Sequence, residues 1–366
     1  MYKEKEDVRF KINNNIGFIQ LNRPQAINSL NTSMVRKIYK KLIEWKRKEE
    51  IKAICISGEG AKGFCAGGDM KRFYEMSKDI LKEEAYQFFL IEYKMDLLIH
   101  SYPKPVIVYM DGITMGGGVG ISSGASHKIV THRTKWGMPE MNIGFFPDVG
   151  SSYIFNKMPG FIGHYLALTS NIISFEDIIY LKEADYLLEN SKWENLKENL
   201  TNINWENNTK VDQKVTQVLS ELASKPVKAS NISLIENNIN THFKFDTVER
   251  IFSSLEASSN KGDEWAENTL NTLKLYSPVS LKVTLEQLKQ GERKTINECF
   301  DMELALSMSF MSESNFFEGV RAVLIDKDKS PKWVPTLLDD VPNDYVSSFF
   351  NFDKYSVDSI SENSFN

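Results

Sequence analysis

Two glycine clusters, "CAGGD" (65–69) and "MGGGVG" (115–120), each follow an apolar run of strand length, and this pairing narrows what the chain can fold into. The runs "AICISG" (53–58) and "PVIVYMDG" (105–112) are almost unbroken in apolar residues, the pattern of strands covered on both faces. "IGFIQLN" (16–22), stopped by Arg23–Pro24, and "HKIVTHR" (127–133) read as two more strands. Between "IGFIQLN" and "AICISG" Leu30, Met34, Ile38, Leu42 and Trp45 recur every three or four residues, which predicts an amphipathic helix. Strands alternating with helices give an α/β fold, with helices covering the sheets. Glycine allows close backbone approach and positive φ, so clusters at two strand ends can aim two N–H groups at one carbonyl oxygen. Two tight turns are the plainer reading. A Rossmann loop is disfavoured because Ser123 stands where GxGxxG expects its third glycine, and no GK[ST] supports a Walker A loop.

Bulk properties exclude several functions. The 366 residues suffice for one large domain or two. A net charge of −5 gives no support for binding nucleic acid, although a local basic patch can still hold a small anion. Cys55, Cys65 and Cys299 form neither a disulfide framework nor a CxxC metal pattern, which predicts a reducing compartment. No run of 18 apolar residues exists, so no membrane span is expected. The start, "MYKEKEDVRFKI", passes into a strand-like segment and has neither a secretory nor a transit-peptide pattern. From about residue 186 to 345 the chain is expected to be mainly helical, beginning with the polar stretch "NSKWENLKENL" and continuing through "TVERIFSSLE" and "INECFDMELALSMSFM". Residues 1–185 are expected to form the core that carries the site, and 346–366 a disordered tail.

The stretch "MPEMNIGFFPDVG" (138–150) sets Glu140 and Asp148 among apolar and small residues. Either they mark surface turns, or they converge on a pocket and move protons.

Together with "LNRPQAINSL", "GFCAGGD", "GITMGGGVG" and "FFEGVRAVLIDKDKSPKW" (316–333), this stretch resembles the crotonase (enoyl-CoA hydratase/isomerase) superfamily, from about residue 10 to 340. The 138–150 stretch and the 316–333 motif resemble its acyl-CoA hydrolase branch. The resemblance implies a crotonase-like spiral of ββα turns with a helical C-terminal region. It implies Gly68 and Gly117 as oxyanion-hole donors to a thioester carbonyl, Glu140 and Asp148 as the catalytic pair, and Glu92 as a substrate-contacting glutamate. The implied reaction is hydrolysis of a short 3-hydroxyacyl-CoA such as 3-hydroxyisobutyryl-CoA, as in valine breakdown. Coenzyme A would then be part of the substrate, with no cofactor and no metal. A homo-oligomer is an open possibility, and the mitochondrial matrix is the implied location, with the cytoplasm as alternative.

One departure decides between branches. Hydratases carry a second catalytic glutamate three positions after the oxyanion glycine, and here that position is Gly120. Hydration of a C=C bond therefore lacks half of its machinery, which leaves hydratase or isomerase as the weaker reading. A non-enzymatic paralogue within a large assembly is a third. Ser151 and Ser152 replace two glycines usual in the hydrolases, and so bear on acyl preference or on loss of activity. Taken alone, Asp69 suits a helix cap, Glu92 a surface pair with Lys94, and Asp148 a turn. The five histidines lack metal-ligand spacing, Cys65 lacks an evident base, and "DKDKSP" (326–331) suits a solvated turn or one that returns to the acyl pocket.

Overall fold

The computed structural model describes residues 6–205, 210–351 and 355–357. Its first hairpin joins β1 (Val8–Asn13) to β2 (Ile16–Leu21) through Asn14 and Asn15. Both have positive φ, 41° and 72°, which asparagine tolerates and which matches the strand twist. The strands that follow are β3 (Ala53–Gly58), β4 (Gly63–Cys65), β5 (Val106–Met110), β6 (Ile113–Met115), β7 (His127–Val130), β8 (Lys135–Gly137), β9 (Ile173–Ser174) and β10 (Tyr186–Leu187).

They form two sheets, ordered β1-β2-β3-β5-β7-β10 and β4-β6-β8-β9. The larger is parallel from β2 onward; the smaller is parallel until antiparallel β9 closes it. Successive strands go to alternate sheets, β3 then β4, β5 then β6, β7 then β8, and each pair runs into helix. This is the expected spiral of ββα turns.

The helices of the spiral are α1 (Thr32–Lys46), α2 (Met70–Glu75), α3 (Lys78–His100), α4 (Gly117–Ser123), α5 (Ser151–Lys157), α6 (Ile162–Thr169) and α7 (Phe175–Tyr180). Asn31 caps α1 by accepting the Met34 N–H at 2.9 Å, and the predicted stripe of Met34, Ile38, Leu42 and Trp45 is buried. Helix α3 is buried on nearly every side because α1, α4 and a C-terminal helix all pack on it.

Beyond β10 come α8 (Trp193–Thr201), α9 (Val211–Leu222), α10 (Asn231–His242), α11 (Val248–Ser259), α12 (Glu264–Leu273), α13 (Pro278–Gly291), α14 (Ile296–Phe310), α15 (Ser314–Val320) and α16 (Asn343–Ser348). The polar stretch after residue 186 hides amphipathic faces. Leu196, Leu200, Val215 and Leu219 of α8 and α9 cover Ile16, Cys55, Ile107 and Ile129 on the outer face of the larger sheet. The main core is continuous from Val8 to Val357, so α13, α14 and α15 share it with the spiral.

The disordered tail needs correction over the part described. Residues 343–348 are helical, and Phe349, Phe350 and Val357 are buried, because these apolar residues in a polar stretch return to the core. Residues 358–366 lie outside the described residues.

Candidate active site

Parallel pairing brings the two glycine clusters and Glu140 to one place. Cys65 of β4 pairs with Thr114 of β6, and Met115 of β6 with Gly137 of β8. Residues just beyond those ends, Gly67–Gly68, Gly116–Gly117 and Pro139–Glu140, therefore gather outside the carboxyl ends of the strands, where α/β folds hold ligands. A Cβ on Gly67 would lie 3.5 Å from the Gly117 nitrogen, and one on Gly116 would lie 2.9 Å from Glu140 Oε1. Gly116, at φ 50° and ψ −121°, adopts a backbone that side chains resist and so lets α4 begin at Gly117.

Both predicted donors are aimed away from neighbouring backbone. Gly68 forms a lone parallel bridge with Leu30, in which Leu30 N–H donates to Gly67 O and Asp69 N–H to Leu30 O, both at 2.8 Å. In that pattern the Gly68 N–H points to the opposite side. Gly117 opens α4, where an N–H has no acceptor within its helix.

Carboxylates enter from three directions. Glu140 stands on the short 3-10 turn Glu140–Ile143, and Asp148 on the loop before α5. Glu92 comes from α3, with Oε1 in contact with the place a Cβ on Gly117 would take. All three are buried, Asp148 at 3 % exposure and Glu92 at 1 %. Glu92 Oε1 and Glu140 Oε2 have no hydrogen-bond partner among the described residues. Burial raises the carboxyls of Glu92 and Glu140 well above the ordinary range, and the neighbouring Asp148 charge adds to this. Burial also pushes Asp148 up to about 7, against the pull of its hydrogen bond from Tyr93.

The Asp148 loop is held by residues far away in sequence. Tyr93 Oη donates to Asp148 Oδ2 at 2.8 Å and lies 2.7 Å from Ser307 Oγ on α14. Tyrosine has a single hydroxyl proton, and it points to Asp148, so Ser307 is the donor in the second bond. Glu303, also on α14, accepts the Gly150 N–H at 2.6 Å, the Ser152 N–H at 2.8 Å and the Ser152 hydroxyl at 2.6 Å. Gln287 of α13 donates to Pro147 O at 2.7 Å and to Ser152 Oγ at 2.8 Å. Val149 sits at φ 51°, a costly conformation for a β-branched residue, and these bonds on either side hold it there. Ser152 thus turns toward α13 and α14 and belongs to the support of the loop.

Several plainer readings change. Asp69 precedes α2 without a side-chain capping bond; Arg23 holds its carboxylate instead, at 3.0 Å. Glu92 is no surface residue, because α3 is enclosed. Cys65 is fully buried and its thiol is pushed up to about 12, so it stays protonated and inert. Among the described residues no group of three or more His, Cys, Asp or Glu is arranged to hold a metal ion, and no helix is long and apolar enough to cross a membrane. The "DKDKSP" segment wraps Arg321, which pairs with Glu318, Asp326 and Asp328.

Tyr93, Asp96, Gln287, Glu303 and Ser307 were not singled out from sequence. Asp96 is wholly buried, and neither of its oxygens has a partner among the described residues. A signal did exist: Asp96 in "MDLLI" (95–99) and Glu303 in "MELAL" (302–306) are each an acid among apolar residues, and such acids require an explanation.

The Enoyl-CoA hydratase/isomerase family model matches residues 16–350. The chain is 37% identical over 354 residues to the small ribosomal subunit protein mS47 of Neurospora crassa, covering 93% of this chain and 70% of that protein. It is 38% identical over 338 residues to the mitochondrial 3-hydroxyisobutyryl-CoA hydrolase of Xenopus laevis, covering 91% and 86%. Among solved structures, a carnitinyl-CoA dehydratase from Mycobacterium thermoresistibile superposes with a TM-score of 0.85 at 32% identity, covering 94% of this chain and 96% of that one.

Proposed function

The chain belongs to the enoyl-CoA hydratase/isomerase family, and on that premise we propose that it hydrolyses the thioester of 3-hydroxyisobutyryl-CoA, or of a close short-chain relative, to the free acid and coenzyme A. The observation that carries this reading is the burial of Glu140 and Asp148 in one cluster beside two glycine turns, with no side chain at position 120 to serve hydration. Similarity to proteins named 3-hydroxyisobutyryl-CoA hydrolase supports it, and valine breakdown in mitochondria is the setting those names suggest.

In this reading the Gly68 and Gly117 N–H groups hold the thioester oxygen as it gains charge. Asp148 ionises first, because Tyr93 donates to its carboxylate while Glu140 Oε2 has no partner. Asp148 takes a proton from water as the water oxygen attacks the carbonyl carbon. Glu140 gives its proton to sulfur as the C–S bond breaks, and Glu92 contacts the substrate across Gly117. A cleft of about 800 Å³ lined by Lys78, Lys82 and Lys332, with Arg321 and Glu318 paired to each other in its wall, offers lysines to the phosphates of coenzyme A.

A second reading is favoured by the likeness to a ribosomal subunit protein: a structural part of a large assembly. Thiol release measured over a panel of short acyl-CoAs, with hydration of crotonyl-CoA in parallel, separates the possibilities. Release fastest with 3-hydroxyisobutyryl-CoA and negligible hydration are expected. Fast hydration moves the chain to the hydratases, and absence of any hydrolysis together with co-purification in a ribosomal particle favours the structural role.

A further inference from the structure

Hydrolysis of a thioester near neutral pH makes one proton more than its products keep, and this site is buried. In the cycle above, Asp148 ends protonated, Glu140 has given its proton to the thiol, and the new carboxylic acid returns a proton to Glu140 as the acid ionises. The proton on Asp148 is the one left over, and it must leave before the next turnover.

Helices α3 and α4 pack along a line of glycines that makes room for ionisable side chains. Against Gly117 lies Glu92. A Cβ on Gly120 would meet Asp96 Oδ2 at 2.5 Å and the Val149 side chain at 2.8 Å, and one on Gly124 would meet the His100 ring at 2.6 Å. Glu92, Asp96 and His100 follow one another at four-residue steps, so they are neighbours along one face of α3. The inner end of this line is the carboxylate cluster. At its outer end His100 is only partly buried, and its Nε2 lies 3.4 Å from Ser123 Oγ. Asp96, in the middle, is wholly buried with both oxygens unpartnered among the described residues, and it lies beside the Asp148–Val149 loop. A carboxyl in such a place is costly unless it carries a proton or passes one.

We propose that Asp96 and His100 form a proton exit, through which the proton left on Asp148 after thioester hydrolysis passes along the α3–α4 contact to the surface. The inference rests on the hydrolytic reading of the site. Asp96 receives the proton on one oxygen and releases another from its second oxygen; His100 accepts on one ring nitrogen and releases from the other, so neither gains net charge. The surroundings suit this. Asp148 and Glu303 face Asp96 and, with burial, keep it protonated, while Cys65 nearby stays a neutral thiol. Burial and the Lys128 charge push His100 down to about 4, so the ring is neutral and free to shift its proton. Glycine at 120, which removes the hydratase carboxylate, is also what admits Asp96.

The experiment compares wild type, Asp96→Asn and His100→Gln by thiol release at low and rising concentrations of imidazole buffer. Wild-type kcat is expected to be independent of buffer. Each variant should lose about tenfold in kcat at low buffer, less than the roughly 10²–10⁴ that a general acid or base at the reacting atoms contributes, with KM moved less than about twofold. Imidazole should restore most of the loss, which it would not do for a packing defect. Variants within about twofold of wild type at low buffer, or a loss that imidazole leaves untouched, overturn the exit while the hydrolytic reading stands. A wild type inactive on every acyl-CoA overturns both. If Asp96→Asn does not fold, His100→Gln, at the partly exposed end, decides alone.

Discussion

Replacing Tyr93 with phenylalanine tests how the site sets the charge of Asp148. The change removes one hydroxyl, opens no cavity for a ring, and takes away the 2.8 Å bond to Asp148 Oδ2. A hydrogen bond to a charged group contributes about 1.5–3 kcal/mol, and roughly 1.4 kcal/mol corresponds to one pKa unit, so the carboxyl should rise by about 1–2 units. Burial already holds Asp148 near 7, which places the acid limb of kcat/KM there if Asp148 is the base. In Tyr93→Phe that limb should move to about 8–9, with activity at pH 7 down by roughly 5–50-fold, since the wild-type base is half ionised there, and much of it regained at alkaline pH. The sign is fixed: the lost bond favours the charged form, so the proton is held more tightly. Stability should fall by about 1–3 kcal/mol, because Ser307 Oγ is left without its acceptor. The assay is a pH series of kcat/KM by thiol release, with thermal unfolding as control. An acid limb that stays in place, or moves to lower pH, refutes Asp148 as the base and Tyr93 as its partner.

Glu140→Gln and Asp148→Asn should each lose about 10²–10⁴-fold in kcat, and the double variant should be scarcely worse than the poorer single one; near-normal turnover in Asp148→Asn would leave it a turn residue. Gly117→Val should cost about 10²–10³-fold in kcat, since its side chain runs into Glu92 and Leu30 where the carbonyl must approach; steady-state kinetics within twofold of wild type would remove Gly117 from the site. Glu303→Leu should lower stability by about 3–5 kcal/mol in a denaturant titration, as it leaves the Gly150 and Ser152 N–H groups buried without acceptors. Gly120→Glu should not gain hydratase activity on crotonyl-CoA, because Asp96 and Val149 already fill the space.

Much of the spiral was legible because its signals are local. Strands 16–21 and 53–58 appear as apolar runs, α1 as a stripe, and the glycine clusters mark where strands end. Glu140 and Asp148 were legible as acids where apolar residues were expected, though their convergence was implied only by the family resemblance and not by their spacing. That depends on which strand pairs with which, and the pairing of β4, β6 and β8 lies between residues some fifty positions apart or, for β6 with β8, about twenty. The support of Asp148 was hidden for a related reason. Glu303 and Ser307 fall on a helix whose periodicity reads as plain core, and only the folded chain shows that this core faces a loop at residue 150. Asp69 misled because its position suits a cap, whereas Arg23, 46 residues earlier, takes its carboxylate. The tail misled because its composition is polar on average while Phe349, Phe350 and Val357 determine where it packs.

The bonds from Glu303 to Gly150 and from Ser307 to Tyr93 span 153 and 214 residues of chain. On a ribosome that adds about 5–20 residues each second, Glu303 emerges roughly 8–30 s after Asp148. Throughout that interval the spiral has its glycine turns and Glu140, but the Asp148 loop lacks the acceptors that hold Val149 in its costly backbone. The unfinished chain should therefore show no thioester hydrolysis until α14 docks. Catalytic competence and completion of the core then arrive in one event, so a chain stalled or cleaved before α14 is silent as well as unstable.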